Sequence, residues 1–320
     1  MDKRPVRPEP ADTQVSIVLP IYNEQENIPA LYDRLNEVLS AEEFSASAAE
    51  IIFVDDGSRD TSVDLIMALR EKDSRVKLAR LSRNFGHQAA ITAGMEVSRG
   101  DCVILMDSDL QDPPEVLARM VAAWRDGADV VYAVRQKRKE SAFKRLTYYS
   151  FYRLLQKIAN IDIPLDSGDF CLMDRKVVDQ LKKMPERNRF VRGLRSWVGF
   201  TQVALPYERH ARYSGEAKYT FGKLMQLALN GIFSFSSFPL RLATYFGLMI
   251  VLLGFLGLIG VIAAYFIRGH FPEGWASMIV IMLFVGGVQL LILGAIGEYV
   301  ALIHDEVKQR PSYIIREFLD

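Results

Sequence analysis

The chain has 320 residues, enough for one large domain or two smaller ones. Half of the residues are hydrophobic, and 39 basic side chains balance 39 acidic ones, so the zero net charge argues against a nucleic-acid-binding protein. The two cysteines, Cys102 and Cys171, form neither a disulfide framework nor a metal-site spacing, and we expect both to be buried thiols. Residues 1–14 are polar and proline-rich without a signal-peptide core, and we expect a flexible leader there.

Strands and helices are predicted to alternate through the first half of the chain. The apolar runs that predict strands are Val15–Leu19, Ile51–Val54, Val76–Leu81, Val103–Met106 and Val130–Val134. Four helices are predicted. The first ends near Leu39, and the others are Ser62–Lys72, Gln88–Val97 and Glu115–Arg125. This alternation with short connections is typical of an α/β fold in which helices cover a parallel sheet.

Carboxylates follow two of these strands directly. Asp55 and Asp56 end the second strand, while Asp107 and Asp109 end the fourth, with Gln111 two residues further on. Because the carboxyl ends of parallel strands share one edge of a sheet, these groups should converge there. Neighbouring carboxylates repel each other and favour a cation between them, and hard oxygen ligands suit Mg²⁺ or Mn²⁺ shared with a diphosphate. Ordinary solvated turns are the alternative at both strand ends.

The chain contains no glycine-rich phosphate loop. Neither G-x-G-x-x-G nor G-x-x-x-x-G-K-[ST] occurs, which removes the main support for a dinucleotide-binding fold or a P-loop kinase. A nucleotide site without such a loop needs another means of holding phosphates, and a metal on Asp109 would supply one. A carboxylate at Asp55 or Asp56 could accept hydrogen bonds from a base or a ribose.

Basic and aromatic residues become frequent after the fifth strand. Phe143–Ala159 has apolar side chains at helical spacing among basic ones, which is typical of a helix in the membrane interface and equally of a core-facing helix with a solvated basic side. Asp166–Met173 predicts a turn that enters a strand. Arg212–Tyr219 is a basic loop with Gly and Ser, suited to closing over an anion. Residues 220–241 predict an amphipathic helix along the membrane surface.

Two uncharged apolar runs, residues 242–267 and 275–297, predict membrane spans. Each exceeds the roughly 20 residues that cross a bilayer core, and buried helices of soluble proteins rarely run this long without charge. The short connector makes residues 242–303 a transmembrane hairpin. The basic residues that flank one side of it are Arg241, Lys308, Arg310 and Arg316. The positive-inside rule therefore places the large domain and the tail, residues 304–320, in the cytoplasm.

Five motifs occur in order before residue 220. They are Pro20-Ile-Tyr-Asn-Glu24, Asp55-Asp-Gly-Ser58, Asn84-Phe-Gly86, Asp107-Ser-Asp-Leu-Gln-Asp-Pro-Pro114 and Arg212…Gly215…Lys218-Tyr219. Together they resemble the family 2 glycosyltransferases of the GT-A fold. More narrowly, the chain is similar to the polyprenyl-phosphate glycosyltransferases, which include dolichyl-phosphate-mannose synthase and bacterial undecaprenyl-phosphate glucosyltransferases. Arg195-Ser-Trp197 only echoes the Q-x-x-R-W signature of processive synthases, which favours transfer of a single sugar.

The resemblance implies a Rossmann-like GT-A domain over residues 15–219 and a role for each motif. It assigns nucleoside binding to Pro20, Tyr22, Glu24, Asp55, Asp56 and Asp107. It makes Asp107, Asp109 and Gln111 the site of Mg²⁺ or Mn²⁺ and the diphosphate, so that Asp109 also serves catalysis. It assigns phosphate binding to Arg135, Arg145, Arg212 and Lys218. It also places Asp169 beside the reacting sugar, where we expect it to orient the sugar and stabilise positive charge rather than act as a base. A turn cap is the alternative for Asp169.

The implied reaction is inverting transfer of one sugar from a nucleotide-sugar to a polyprenyl monophosphate, with glucose and UDP favoured. The acceptor phosphate is already ionised, so it needs cations to position it more than a base to activate it. The alternatives are transfer of mannose, GlcNAc or an aminoarabinose-type sugar, a non-catalytic nucleotide-sugar-binding protein and, less favoured, a channel. The implied setting is the bacterial inner membrane, with both termini cytoplasmic and with membrane lipids as partners. A homo-oligomer is also expected.

Overall fold

The structure, a computed structural model, describes residues 13–40, 49–136, 167–187, 189–208, 238–268 and 274–320. The strands within these ranges are β1 (Val15–Ile21), β2 (Ala49–Asp55), β3 (Val76–Leu81), β4 (Cys102–Leu105), β5 (Val130–Gln136), β6 (Ser167–Asp174), β7 (Gln202–Glu208) and β8 (Ile315–Leu319). The helices are α1 (Ile28–Leu39), α2 (Ser62–Arg70), α3 (His87–Val97), α4 (Val116–Arg125), α5 (Arg175–Lys183), α6 (Val191–Trp197), α7 (Phe238–Arg268) and α8 (Trp275–Val307).

The strands form one sheet in the order β7-β5-β6-β4-β1-β2-β3-β8. The pairs β4–β1, β1–β2, β2–β3 and β5–β7 are parallel. Strand β6 runs antiparallel to β4 and β5, and β8 runs antiparallel to β3. The α/β class and the mainly parallel sheet are therefore confirmed. The two reversed strands were not predicted, because an apolar run contains no information about its direction in a sheet.

The centre of the sheet is buried on both faces, as continuous apolar strands require. Every residue of β1, β2 and β4 is buried. Helix α3 packs on β1 and β2 at very short range, since a Cβ on Gly94 would overlap the side chain of Val18. This close approach places His87, the first residue of α3, beside the end of β4.

Strand β8 pairs with β3 and forms that edge of the sheet. The amide of Ser82 donates to the carbonyl of Ile314 at 2.9 Å. The carboxylate of Asp320 contacts Lys77 and lies 2.7 Å from the guanidinium of Arg99. The segment Arg310–Asp320 belongs to the same compact unit as the sheet. The sequence predicts only a cytoplasmic tail for residues 304–320, outside the domain of residues 15–219, and β8 adds a strand that this prediction does not contain.

The helices α7 and α8 belong to a second compact unit and contact each other. Among the described residues, Phe284–Val307 is long and apolar enough to cross a membrane, with a mean hydropathy of 1.7. Ala243–Gly257 is a shorter apolar stretch in α7. The two helices cover the predicted spans, residues 242–267 and 275–297. Their insertion as a membrane hairpin stays a prediction.

Several predicted features lie outside the described residues. They are most of the leader, the segment Phe143–Ala159, Asp166, the basic loop Arg212–Tyr219 and the amphipathic helix up to residue 237.

Candidate active site

The ends of β1 and β2 carry two turns that are hydrogen-bonded to each other. The amide of Asn23 donates to the hydroxyl of Ser58 at 3.0 Å, and the amide of Arg59 donates to the side-chain oxygen of Asn23 at 2.8 Å. The amide of Glu24 donates to the hydroxyl of Ser62 at 2.9 Å. The two motifs assigned to nucleoside binding are therefore neighbours, as the shared sheet edge predicted.

In the first of these turns, the side chain of Glu24 stabilises the residues that lead into α1. Its carboxylate accepts a hydrogen bond from the amide group of Asn27 at 2.6 Å. In the second turn, the carboxylate of Asp55 accepts from the amide of Ser58 at 2.8 Å. Both carboxylates thus have a local structural role in addition to the one predicted for them.

Asp56 holds the loop between β3 and α3. Its two carboxylate oxygens accept hydrogen bonds from the amides of Phe85 and Gly86, at 2.7 and 2.9 Å. Asp56 is buried, and this burial raises the pKa of its carboxyl although both hydrogen bonds oppose the change. Gly57 has a φ of 76°, and a Cβ there would come within 2.8 Å of the backbone of Arg83. The Asp-Asp-Gly-Ser motif therefore fixes the loop that leads into His87.

The loop after β4 is folded around its own acidic residues. The hydroxyl of Ser108 donates to the carbonyl of Pro20 at 3.0 Å, which ties this loop to the end of β1. The carboxylate of Asp109 accepts from the amide of Gln111 at 3.1 Å. Leu110 between them is buried and has a φ of 58°, in the left-handed region. The predicted metal-binding residues thus come from one tight turn at the sheet edge.

His87 bridges two carboxylates, one from the turn after β4 and one from strand β6. Its Nε2 lies 3.5 Å from the Oδ1 of Asp107 and 3.3 Å from the Oδ2 of Asp169. Asp169 is buried in β6, where Arg192 lies 2.8 Å from its Oδ1. Since β6 runs antiparallel to β4, the turn at Asp107 and the beginning of β6 meet at one site.

The pKa values of the two carboxyl groups of this site, Asp107 and Asp169, are shifted in opposite directions. Burial, together with the charges of Asp112, Asp169 and Asp109, raises the pKa of Asp107 to about 6, while His87 opposes this change. Burial alone would raise the pKa of Asp169, but Arg192 and His87 hold it well below its usual range. Burial would lower the pKa of His87, but the hydrogen bond to Asp169 and the two negative charges raise it. The paired guanidinium of Arg192 therefore favours the ionised form of Asp169, and a bound cation would do the same for Asp107.

A second network joins the acidic loop to the far strands of the sheet. The hydroxyl of Tyr207 on β7 donates to the buried carboxylate of Asp112 at 2.5 Å. Burial and Asp112 raise the pKa of Tyr207, while the guanidinium of Arg135 lowers it. Arg135, predicted to bind phosphate, therefore lies at the Tyr207 hydroxyl.

Arg195 is a buried residue that contacts β6, the strand that carries Asp169. It is 1% exposed, and its Nη1 donates to the carbonyl of Gly168 at 3.4 Å. Its guanidinium also lies 5.4 Å from the centre of the Tyr132 ring. Trp197, two residues further on, is 67% exposed. The two residues that echo the processive signature thus point to different environments.

Comparisons with known proteins agree with this geometry. The family model described as glycosyl transferase family 2 matches residues 16–182, just over half of the chain. The chain belongs to glycosyl transferase family 2. Membership of this family supports the GT-A fold inferred from the motifs, and it establishes the protein as a glycosyltransferase.

Relatives of this family 2 glycosyltransferase match it over nearly its whole length. An uncharacterized glycosyltransferase of Bacillus subtilis, YkcC, is 48% identical over 305 residues, which cover 95% of this chain and 94% of the relative. A bactoprenol glucosyl transferase of Shigella phage SfX is 42% identical over 304 residues, covering 95% and 99%. Glucosyl-3-phosphoglycerate synthase of Mycobacterium tuberculosis, solved with Mn²⁺ and UDP, has a TM-score of 0.47 at 18% identity over 70% of this chain and 78% of that one. That similarity is too low to support an inference about ligands.

The donor groups of this family 2 enzyme fit a metal that is shared with substrate. Among the described residues, no three His, Cys, Asp or Glu side chains are grouped so as to hold a metal by themselves. Magnesium in nucleotide sites commonly takes one or two carboxylates together with substrate phosphates. Asp107 and Asp109 provide two carboxylates in one turn, and burial together with the neighbouring carboxylates raises the pKa of Asp107. The residues present therefore fit Mg²⁺ or Mn²⁺ bound together with a diphosphate.

Sequence reasoning missed several residues of the site. His87 directly follows the Asn84-Phe-Gly86 motif, and that position was its only signal. Gln88 and Arg192 contact Asp169 from distant parts of the chain, and no spacing connects them to it. The predicted phosphate-binding residues Arg145, Arg212 and Lys218 lie outside the residues that the structure describes.

Proposed function

We propose that the protein transfers a single glucose from UDP-glucose to a polyprenyl monophosphate, with inversion at the sugar carbon. The observation that carries this proposal is the nearly full-length similarity to bactoprenol glucosyl transferases, combined with a site in which His87 lies between Asp107 and Asp169. Several such relatives, from Escherichia coli and from Shigella phages, match the same 95% of the chain.

The donor nucleoside would bind at the joined turns of β1 and β2. Tyr22 and Asp55 lie on these turns, which the hydrogen bonds of Asn23 and Ser58 hold in register. Asp56 contributes indirectly, since both of its oxygens hold the following loop. Asp107, Asp109 and Gln111 would hold Mg²⁺ or Mn²⁺, which neutralises the departing diphosphate when bound.

The transfer needs one bond to form and one to break. An oxygen of the acceptor phosphate forms a bond to the sugar carbon, while the bond from that carbon to the diphosphate breaks and its electron pair leaves with UDP. No proton has to be removed, because the acceptor phosphate is already ionised at neutral pH. Asp169 would orient the sugar and stabilise the positive charge that develops at its carbon. Burial would raise the pKa of Asp169, but Arg192 at 2.8 Å and His87 hold it well below its usual range, which supports a negatively charged group at this position.

The proposed setting is the cytoplasmic face of a bacterial inner membrane, where the lipid phosphate lies at headgroup level. Large apolar side chains such as Leu252, Phe255 and Leu290 are exposed along α7 and α8, which suits a lipid environment. The spans would form a hairpin with both ends in the cytoplasm, and the phosphate-binding residues Arg135, Arg145, Arg212 and Lys218 would face the acceptor or donor. Assembly as a homo-oligomer stays a prediction.

Mass spectrometry of lipid products tests this proposal. Purified protein is incubated with undecaprenyl phosphate, Mg²⁺ and, separately, UDP-glucose, UDP-GlcNAc, GDP-mannose and a UDP-aminoarabinose-type donor. We expect a glucosylated lipid from UDP-glucose, formed about a hundredfold or more slowly by an Asp169→Asn variant, whose residual rate stays measurable. Product from another donor alone would replace glucose by that sugar. Donor binding without any lipid product would show a binding protein instead of an enzyme of this specificity.

A further inference from the structure

The carboxylate of Asp169 is surrounded by side chains from two helices that do not follow each other in the chain. Its Oδ1 accepts from the Nε of Arg192 at 2.8 Å. Its Oδ2 accepts from the Nη2 of Arg192 at 3.2 Å and from the Nε2 of Gln88 at 3.3 Å, and His87 lies at 3.3 Å from the same oxygen. Arg192 thus binds both oxygens in the two-pronged manner that fixes the plane of a carboxylate.

Gln88 joins the two helices on which these side chains lie. Its Nε2 donates to Asp169, while its Oε1 accepts from the amide of Val191 at 2.9 Å. Val191 is the first residue of α6, whose N-cap residue Phe190 makes no side-chain cap. The first amides of a helix have no partner within the helix, so a side chain from elsewhere can fix its start. Gln88 fixes the start of α6 in this way at Val191, which lies one residue before Arg192.

Because Asp169 is buried, its carboxylate needs a cation held close to it. The residue is 8% exposed, and a buried carboxylate without a cation tends to take up a proton. Within the described ranges, Arg192 is the permanently charged residue that pairs with this carboxylate, at 2.8 Å, whereas the charge of His87 depends on pH. A short helix fixed at its start by Gln88 gives the guanidinium one position relative to β6.

We propose that Arg192, oriented by Gln88, is the positioning residue that fixes the plane of the Asp169 carboxylate toward the reacting sugar. This inference rests on the proposed function, because it assumes that Asp169 acts at the sugar carbon. Arg192 acts through Asp169 and need not touch the substrate. Its removal should therefore lower kcat and leave donor binding largely intact.

A double-mutant cycle on the full chain tests this role. Arg192→Met alone should lower kcat by about 10- to 100-fold, the size expected when a reacting group is misplaced by a fraction of an ångström to 1 Å. The donor KM should stay within about threefold of the wild-type value, because the groups that bind the donor are unchanged. In an Asp169→Asn background, Arg192→Met should change kcat by less than about threefold, because residues that act as a unit are not additive.

Three further variants separate positioning from folding and from charge. Arg192→Lys keeps the charge but not the two-pronged contact, and it should recover part of the lost kcat. Gln88→Leu should lower kcat less than Arg192→Met does, since the ion pair remains. The matched control is Arg34→Met, because Arg34 also pairs with a carboxylate, Glu115, and its side chain is 31% exposed like that of Arg192. Arg34→Met should keep wild-type kcat, and melting curves of all variants should show a folded protein.

The outcomes that overturn this inference differ from those that overturn the proposed function. Wild-type kcat in Arg192→Met, or a loss that persists in full in the Asp169→Asn background, would exclude positioning through Asp169. A raised KM with unchanged kcat would make Arg192 a substrate ligand instead. Wild-type protein that makes no glucosylated lipid would refute the proposed function alone. The cycle is then measured as hydrolysis of UDP-glucose, in which water takes the glucosyl group and loses a proton to solvent while UDP is released.

Discussion

Replacing Asp56 with alanine should release the loop that leads into α3. Its buried carboxylate accepts from the amides of Phe85 and Gly86. A hydrogen bond to a charged group contributes about 1.5–3 kcal/mol, so losing two of them removes about 3–6 kcal/mol. Relief of burying the charge, which raises the pKa of Asp56 together with Asp55, offsets part of that loss. We therefore expect Asp56→Ala to lower the free energy of unfolding by about 2–3 kcal/mol.

Thermal unfolding and hydrogen exchange of the detergent-solubilised protein measure this effect. A loss of that size should lower Tm by about 4–12 °C for a domain of this size. The peptide that contains Phe85 and Gly86 should exchange faster, and Asp56→Asn, which keeps one acceptor, should fall between the wild type and Asp56→Ala. The control is Asp64→Ala, which removes an exposed carboxylate from α2 and should change stability by less than about 0.5 kcal/mol.

The refuting result is specific to the loop. If Asp56→Ala and Asp64→Ala had the same Tm and the same exchange rate at Phe85 and Gly86, the hydrogen bonds of Asp56 would not stabilise the loop. A lower Tm without faster exchange in that peptide would place the effect elsewhere in the domain.

Three further predictions concern strand β8, the turn at Gly57 and the metal site. Deleting residues 310–320 should lower Tm by several degrees, because β3 loses the strand β8 and the contacts of Asp320; an unchanged Tm would contradict this. Gly57→Ala should destabilise the protein by about 1–3 kcal/mol in denaturant unfolding, since its φ of 76° and the nearby backbone of Arg83 oppose a side chain. Stability equal to that of the wild type would show that the turn adapts. Transfer should stop in excess EDTA, return with Mg²⁺ or Mn²⁺, and be absent in a folded Asp109→Ala variant; full activity in EDTA would disprove the metal site.

The central part of the fold was predictable because its signals are local. The apolar runs of β1, β2 and β4 are buried over their whole length, as strands covered on both faces must be. Polar residues at their ends converge because parallel strands share an edge, and Ser108 and Asn23 confirm the convergence by direct hydrogen bonds.

The remainder depends on contacts between distant parts of the chain. Arg192 and Gln88 reach Asp169 from positions that no periodicity connects, so a sequence pattern cannot reveal them. The direction of β6 depends on the path of the chain after β5, which local composition does not determine. Strand β8 is five residues long with two charged side chains, and its pairing with β3 is a property of the folded sheet.

The position of β8 after α7 and α8 in the chain determines when the sheet can be completed during synthesis. Strand β3 is made early, but its outer neighbour emerges only after α7 and α8 have been translated. Until then β3 presents an open edge, which is the kind of surface that pairs wrongly with other chains. A polypeptide that is interrupted anywhere in the two long helices keeps that edge open. Completion of the sheet is thus coupled to synthesis of both helices, and a chaperone or protease that recognises open strand edges would distinguish chains that contain β8 from chains that stop before it.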